Sequence, residues 1–172
     1  MQELSYSFHI GNDKNKSKRS RQVMKNKNVK DNIFNNNAIQ NARALSKVNK
    51  HNLRKYDNNV ELITILRGSN NLYEDVKELY KQEFEEARLE YNKKQTRNDR
   101  KIDDYFTHIS NNKKSDLACE IIIELGDMFY WKDKEENYKK KMNLVFAEQL
   151  LDLENIVPSF KIASGGVHYD ES

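Results

Sequence analysis

Apolar positions along this chain fall into short blocks separated by long polar stretches, and the spacing within each block separates helix from strand. Leu4 to Ile10 alternates weakly, with Tyr6 and Phe8 on one parity, and predicts a short strand stopped at Gly11 and Asn12. Ala38, Ala42, Leu45 and Val48 recur at helical spacing. Continuing by three reaches His51 and then Arg54, so both are expected to look out from one helix face. Val60 to Leu66 is β-branched and short, ends at Gly68 and Ser69, and predicts a strand. The clearest element follows: Asn71 as cap with Glu74 three residues on, then the stripe Leu72, Val76, Leu79, Tyr80, Phe84, Ala87 and Tyr91. The polar stretch Asn92 to Lys101 predicts a connection, and Ile102, Tyr105, Phe106 and Ile109 one or two further helical turns.

Leu117 to Leu125 holds three consecutive isoleucines and stops at Gly126 and Asp127, which predicts a strand covered on both faces at the centre of a sheet. Asp133 with Glu136 opens another helix, with Tyr138, Met142, Val145, Phe146, Leu150 and Leu153 on one face and Val157-Pro158 at its end. Ser159 to Tyr169 returns as a strand, in which Gly165-Gly166 implies a bulge, a bend, or close approach of another backbone or a ligand. Strand, helix and strand over this length predict a crossover unit. The expected fold is α+β, a single domain over residues 1–172 with helices on at least one sheet face.

Composition narrows this further. With 37% hydrophobic and 33% charged residues, the chain supports only a modest core. Thirty Lys and Arg against 27 Asp and Glu leave +3, so a nucleic-acid argument rests on where the charges sit. Lys14, Lys16, Lys18, Arg19, Arg21, Lys25, Lys27 and Lys30 form a run without an acid. Residues 12–32 have too few apolar side chains to bury and predict a basic flexible segment. Such a run fits a phosphate backbone and equally fits a solvated linker. The single cysteine, Cys119, lies in an apolar run, which predicts a buried thiol and a reducing cytoplasm. No run approaches a bilayer span and no signal peptide is recognisable, so a soluble cytoplasmic protein is expected.

Two constellations could carry chemistry. His168, Tyr169, Asp170 and Glu171 set an imidazole beside carboxylates, a combination that can hold a divalent ion but does not close its shell. On an ideal strand His168 shares its parity with Phe160 and Ile162, while Glu171 points the other way. Their convergence needs a turn at Asp170; otherwise His168 pairs with Asp170. A solvated strand end describes the same residues. His51 and Arg54, with Lys47, Lys50 and Lys55 nearby and Tyr56 just beyond, combine a nucleophile with a guanidinium able to hold phosphate oxygens. The alternative is a surface histidine on a basic helix. His9 and His108 are isolated, with structural or surface roles, and Trp131 is expected to pack rather than to stack on bases.

Taken together, the two sites resemble a known pattern. Lys50-His51-Asn52-Leu53-Arg54 is similar to the His-Asn-x-Arg motif of the plasmid mobilisation and recombination (Mob/Pre) relaxases. Val167-His168-Tyr169-Asp170-Glu171-Ser172 resembles the opening of their metal motif, His-x-Asp-Glu followed by Pro-His-x-His. The resemblance implies a histidine-hydrophobe-histidine (HUH-like) endonuclease domain, with an antiparallel sheet and flanking helices, that nicks and rejoins one strand of plasmid DNA at an origin of transfer or recombination site. The 5′ phosphate stays on the protein in between. It implies His51 as nucleophile with Arg54 as partner, while Tyr56 is an alternative nucleophile suggested only by its closeness. It also implies His168 and Glu171, with Asp170 as a further candidate, as ligands to Mn²⁺ or Mg²⁺. DNA contacts are expected from Lys14, Lys16, Lys18, Arg19, Arg21 and Lys50. Because the sequence stops before Pro-His-x-His, the resemblance implies a domain incomplete at its C-terminal side, with impaired activity. A non-enzymatic DNA-binding plasmid-control protein is the competing expectation, and an unrelated metal hydrolase a third.

Overall fold

The computed structural model describes residues 6–10, 38–56, 63–126 and 128–169, the first stretch and Met128 through the backbone alone. In chain order the elements are β1 (Tyr6–Ile10), β2 (Ala38–Ile39), α1 (Ala42–Asn52), β3 (Ile63–Arg67), α2 (Leu72–Lys93), α3 (Tyr105–Ser110), β4 (Ala118–Cys119), β5 (Ile121–Leu125), α4 (Met128–Lys132), α5 (Glu136–Ile156) and β6 (Gly165–His168). The fold class is α+β. Among the described residues the strands form three two-stranded ladders, β1 with β5, β2 with β4 and β3 with β6, and the last two are antiparallel. The chain divides into two compact units, one holding Ser46–Leu79 and Leu125–Ser172, the other Tyr6–Leu45 and Tyr80–Glu124.

In the unit built on Tyr6–Leu45 and Tyr80–Glu124, Ile39, Leu45, Phe106 and Leu117 are buried, and an aromatic cluster packs around Phe106. The middle of α2 brings Tyr80 and Phe84 against Tyr105 and Phe106 of α3, with ring centroids 5.0–6.1 Å apart. The Tyr80 hydroxyl donates to the Leu117 carbonyl at 2.6 Å, and Leu117 donates to Ile39 at 2.8 Å, so this cluster reaches the β2–β4 ladder. Burial pushes the Tyr80 phenol up to about 12, and nearby Tyr105 adds to the shift. The connection after α2 is held by side chains. The Asn92 carboxamide donates to the Ile102 carbonyl and accepts from its N–H, both at 2.9 Å, and Arg88 reaches the same carbonyl. Asp104 caps α3 by accepting from Thr107 N–H.

In the other unit Trp131 of α4 is buried, and its indole N–H donates to the Leu125 carbonyl at 2.5 Å. Tyr130, Tyr138, Phe146 and Tyr169 surround it at 5.0–6.5 Å, so Trp131 packs, as its surroundings in the sequence predict. The Tyr169 hydroxyl lies 2.7 Å from Asn143 Oδ1 and 3.1 Å from the Lys139 carbonyl, and Asn143 donates to Thr64. One hydroxyl hydrogen serves these two acceptors in turn. The end of β6 is thereby tied to α5 and β3. Across the same layer Arg67 pairs with Glu154 at 2.7 Å, and the second Glu154 oxygen accepts from Ile162 N–H. These two bonds hold the Glu154 carboxyl below the usual carboxylate range, the Arg67 bond first.

Several expectations change. Ala38 lies in β2, so α1 starts at Ala42, where Asn41 caps it by accepting from Ala44 N–H. The Leu117–Leu125 run is broken at Glu120 into two strands with different partners, and its isoleucines are half-buried rather than covered on both faces. β5 and β6 belong to different ladders, so α4 and α5 do not make a crossover. Residues 159–164 are not a strand, which removes the parity linking His168 to Phe160 and Ile162. Asn71 does precede α2, but its carboxamide oxygen accepts from Asn49; Asp75, not Glu74, reaches back to the Ser69 N–H. Asp133 lies ahead of α5, whose first turn follows Glu135 without a side-chain cap. The apolar stripes are less buried than expected: within α2 only Val76 is buried, and α5 has no fully buried side chain. Cys119 at the end of β4 is exposed rather than buried, and desolvation by the surrounding chain, then Asp116, raises its pKa.

Candidate functional site at the end of the first helix

The apolar face of α1 runs through Leu45, fully buried, then Asn49 and Leu53, both close to buried. That face fixes which way the rest of the last turn points. His51 and Lys50 fall on the opposite side and are exposed, while Tyr56, just past the helix, is 64% exposed with the Lys50 ammonium 5.9 Å from its ring centroid. Asn49, a polar residue on the apolar face, donates to Asn71 at 3.3 Å and links the helix to the turn before α2. Sequence patterning gave no weight to Asn49. Its place four residues from both Leu45 and Leu53 was the available signal.

Arg54 departs most from expectation. It does not share a helix face with His51, because α1 ends at Asn52 and Arg54 adopts φ 47°, the left-handed region that side chains with a Cβ seldom occupy. The helix closes here with two bonds. Arg54 N–H donates to the His51 carbonyl at 3.0 Å and Lys55 N–H to the Lys50 carbonyl at 2.9 Å. This is the Schellman pattern, with Arg54 in the position where glycine is usual. Arg54 is only 8% exposed, and its Nη1 turns back to the His51 carbonyl at 3.4 Å. The expectation of two side chains looking out together is therefore corrected. The imidazole looks out, and the guanidinium is folded beneath the turn.

His168 ends β6, where it stands opposite Ile63 at the start of β3. The antiparallel ladder thus brings the second motif to the strand that follows the α1 end, and His51, Arg54, Tyr56 and His168 all fall in one compact unit. His168 is half-buried, with Nδ1 closed off from solvent. Asp170 and Glu171 lie outside the described residues, as do Lys14, Lys16, Lys18, Arg19, Arg21 and the whole 12–32 segment. Among the described residues no group of three or more His, Cys, Asp or Glu is assembled that could hold a metal ion. His168 is the single described member of the expected ligand set.

Gly165-Gly166 has the local causes that a glycine pair in a strand suggests. The β3–β6 register shifts between Ile65 and Arg67, a bulge in β3 opposite the pair. A Cβ on Gly165 would lie 2.6 Å from Leu150 Cδ1, so the glycine permits α5 to lie close against β6. In the other unit, an open cleft of about 550 Å³ lined by Gln40, Asn41, Arg43, Ser110, Asn112 and Lys113 includes none of the motif residues. Among the described residues no helix is long and apolar enough to cross a membrane. Comparisons with family models, curated proteins and solved structures gave no match.

Proposed function

We propose that this chain is a plasmid mobilisation and recombination relaxase of the HUH-like type, acting on plasmid DNA in the cytoplasm. The observation that carries the reading is the paired sequence motif, Lys50-His51-Asn52-Leu53-Arg54 followed by Val167-His168-Tyr169-Asp170-Glu171, with both histidines in one compact unit. An exposed imidazole at a helix end beside an exposed lysine supports attack on a phosphodiester. Nitrogen bonds to phosphorus and the bond to the 3′ oxygen breaks; the ring gives up its N–H proton to water and the 3′ oxygen takes one up, so the 5′ phosphate stays on His51 while the strand leaves with a 3′ hydroxyl. The proposed cofactor is Mn²⁺ or Mg²⁺ on His168 and Glu171, with Asp170 as a further ligand; the ion would polarise the scissile phosphate.

The test is a covalent adduct that survives denaturation, formed between the chain and a labelled random-sequence single-stranded DNA pool with Mn²⁺. His51→Ala should abolish the adduct and leave DNA affinity within about twofold, since one imidazole adds little to a binding surface made by many cations. An adduct that persists in His51→Ala and is lost in Tyr56→Phe would transfer the nucleophile to the tyrosine. Persistence in both would remove this helix end from the chemistry. The basic run Lys14 to Lys30 favours a second reading, a non-enzymatic DNA-binding plasmid-control protein. Steeply salt-dependent binding without any adduct, unchanged in His51→Ala and His168→Ala, would select it. In either reading, neutralising Lys14, Lys16, Lys18 and Arg19 together should flatten the salt slope by up to about 0.9 for each duplex phosphate that the protein no longer neutralises.

A further inference from the structure

The buried, left-handed Arg54 has no account in the function just proposed, where the arginine of the motif would be expected to reach toward phosphate. Its geometry points elsewhere. A residue with a Cβ in this conformation costs about 1 kcal/mol or more relative to glycine, so something must offset the strain. The observed compensation is local: the side chain is withdrawn from solvent and Nη1 reaches the His51 carbonyl, beside the backbone bond from Arg54 N–H to the same oxygen. Lys47, Lys50 and Lys55 are all exposed around this helix end, and Lys50 is the one immediately before His51, with its ammonium 5.9 Å from the Tyr56 ring centroid.

We propose that Arg54 is a positioning residue that holds the His51 turn from beneath, and that Lys50 supplies the phosphate-facing cation at this site. The proposal rests on the relaxase reading for its consequence in DNA chemistry, but not for the turn itself. Its logic separates two ways of keeping the turn closed. An arginine occupies the strained conformation and secures it with its guanidinium, whereas a glycine occupies it without strain and needs no such bond. Alanine has the strain and lacks the bond.

The experiment compares Arg54→Gly, Arg54→Ala and Lys50→Gln by hydrogen exchange at the residue 54 and Lys55 amides and by adduct formation with the random single-stranded pool and Mn²⁺. Arg54→Gly should keep both amides protected and the adduct rate within about threefold of wild type, because the unstrained turn stays closed. Arg54→Ala should speed exchange at both amides and slow adduct formation about tenfold at unchanged half-saturating DNA, the loss expected for one buried hydrogen bond. Lys50→Gln should raise half-saturation a few fold and reduce the salt slope by about 0.7.

An Arg54→Gly variant as inactive as His51→Ala, with the salt slope lowered there and not in Lys50→Gln, would overturn the proposal and return Arg54 to the phosphate. Wild-type exchange rates in Arg54→Ala would overturn it as well. If the wild-type chain forms no adduct, the relaxase reading fails on its own, and the exchange rates still decide whether Arg54 holds the turn.

Discussion

Two adjacent glycines in β6 have opposite tolerances, and the difference comes from a single neighbour. At Gly165 a new Cβ would meet Leu150 Cδ1 at 2.6 Å, whereas at Gly166 the nearest atoms, Ile63 Cγ2 and the Thr64 carbonyl, stand at 3.6 Å. Gly165→Ala should therefore destabilise the chain by about 1–3 kcal/mol through overpacking, with part of that recovered by adding Leu150→Ala. Gly166→Ala should stay within about 0.5 kcal/mol of wild type. Urea unfolding of the three variants checks this, and equal losses at the two glycines would contradict it. The pair was legible in the sequence because two glycines inside a strand pattern have few physical meanings. Arg54 was not legible. An arginine three residues after a histidine fits a continuing helix as well as a closed one, and nothing in its side chain marks a left-handed backbone.

At the scale of elements, α2 and α5 were legible from their 3.6-residue period, because that pattern is written locally. The ladders were not. A run such as Leu117 to Leu125 records that its residues suit a strand, but not where it breaks or which distant strand completes its hydrogen bonds. For the candidate site, the residue types of both motifs were legible. The direction in which His51 and Arg54 point was not, because it depends on where α1 stops. The α4–α5 region offers a direct check on packing. Trp131 is the single tryptophan, it is buried among four aromatic rings, and its indole satisfies the Leu125 carbonyl. Trp131→Ala should cost about 3–5 kcal/mol, while Trp131→Phe keeps much of the packing and loses the hydrogen bond. Chemical denaturation followed by circular dichroism measures both, and a Trp131→Ala midpoint equal to wild type would show that α4 does not anchor its unit.

For the whole molecule, one tyrosine in each compact unit reports on alkaline stability. Burial is the first cause at Tyr80 and at Tyr169, and each phenol is pushed up to about 12. A group whose pKa rises on folding favours the folded state while it stays protonated in both states. That contribution is complete below about pH 10, the unfolded tyrosine value, and disappears as pH rises through about 12. Both should ionise late in an ultraviolet titration, and stability should fall over the same interval. Tyr169→Phe should remove one late phenol and cost about 1 kcal/mol, because its hydroxyl no longer bonds Asn143 and Lys139, leaving Tyr80 titrating as before.

The rung that joins Ile63 to His168 makes the separation of the two motifs a matter of chain length. Once β6 is zipped to β3, the path from the closed end of α1 to His168 is the short run from Arg54 to Ile63 plus one step across the ladder. Within the long intervening sequence the Asn49–Asn71 bond is a further tie on α1. Two glycines inserted after Tyr56 would alter no residue of either motif. Under the proposed chemistry, adduct yield should fall while DNA affinity stays within about twofold, because the insertion lengthens the chain between the two histidines and removes no cation. The spacing of the two motifs would then depend on a segment that belongs to neither.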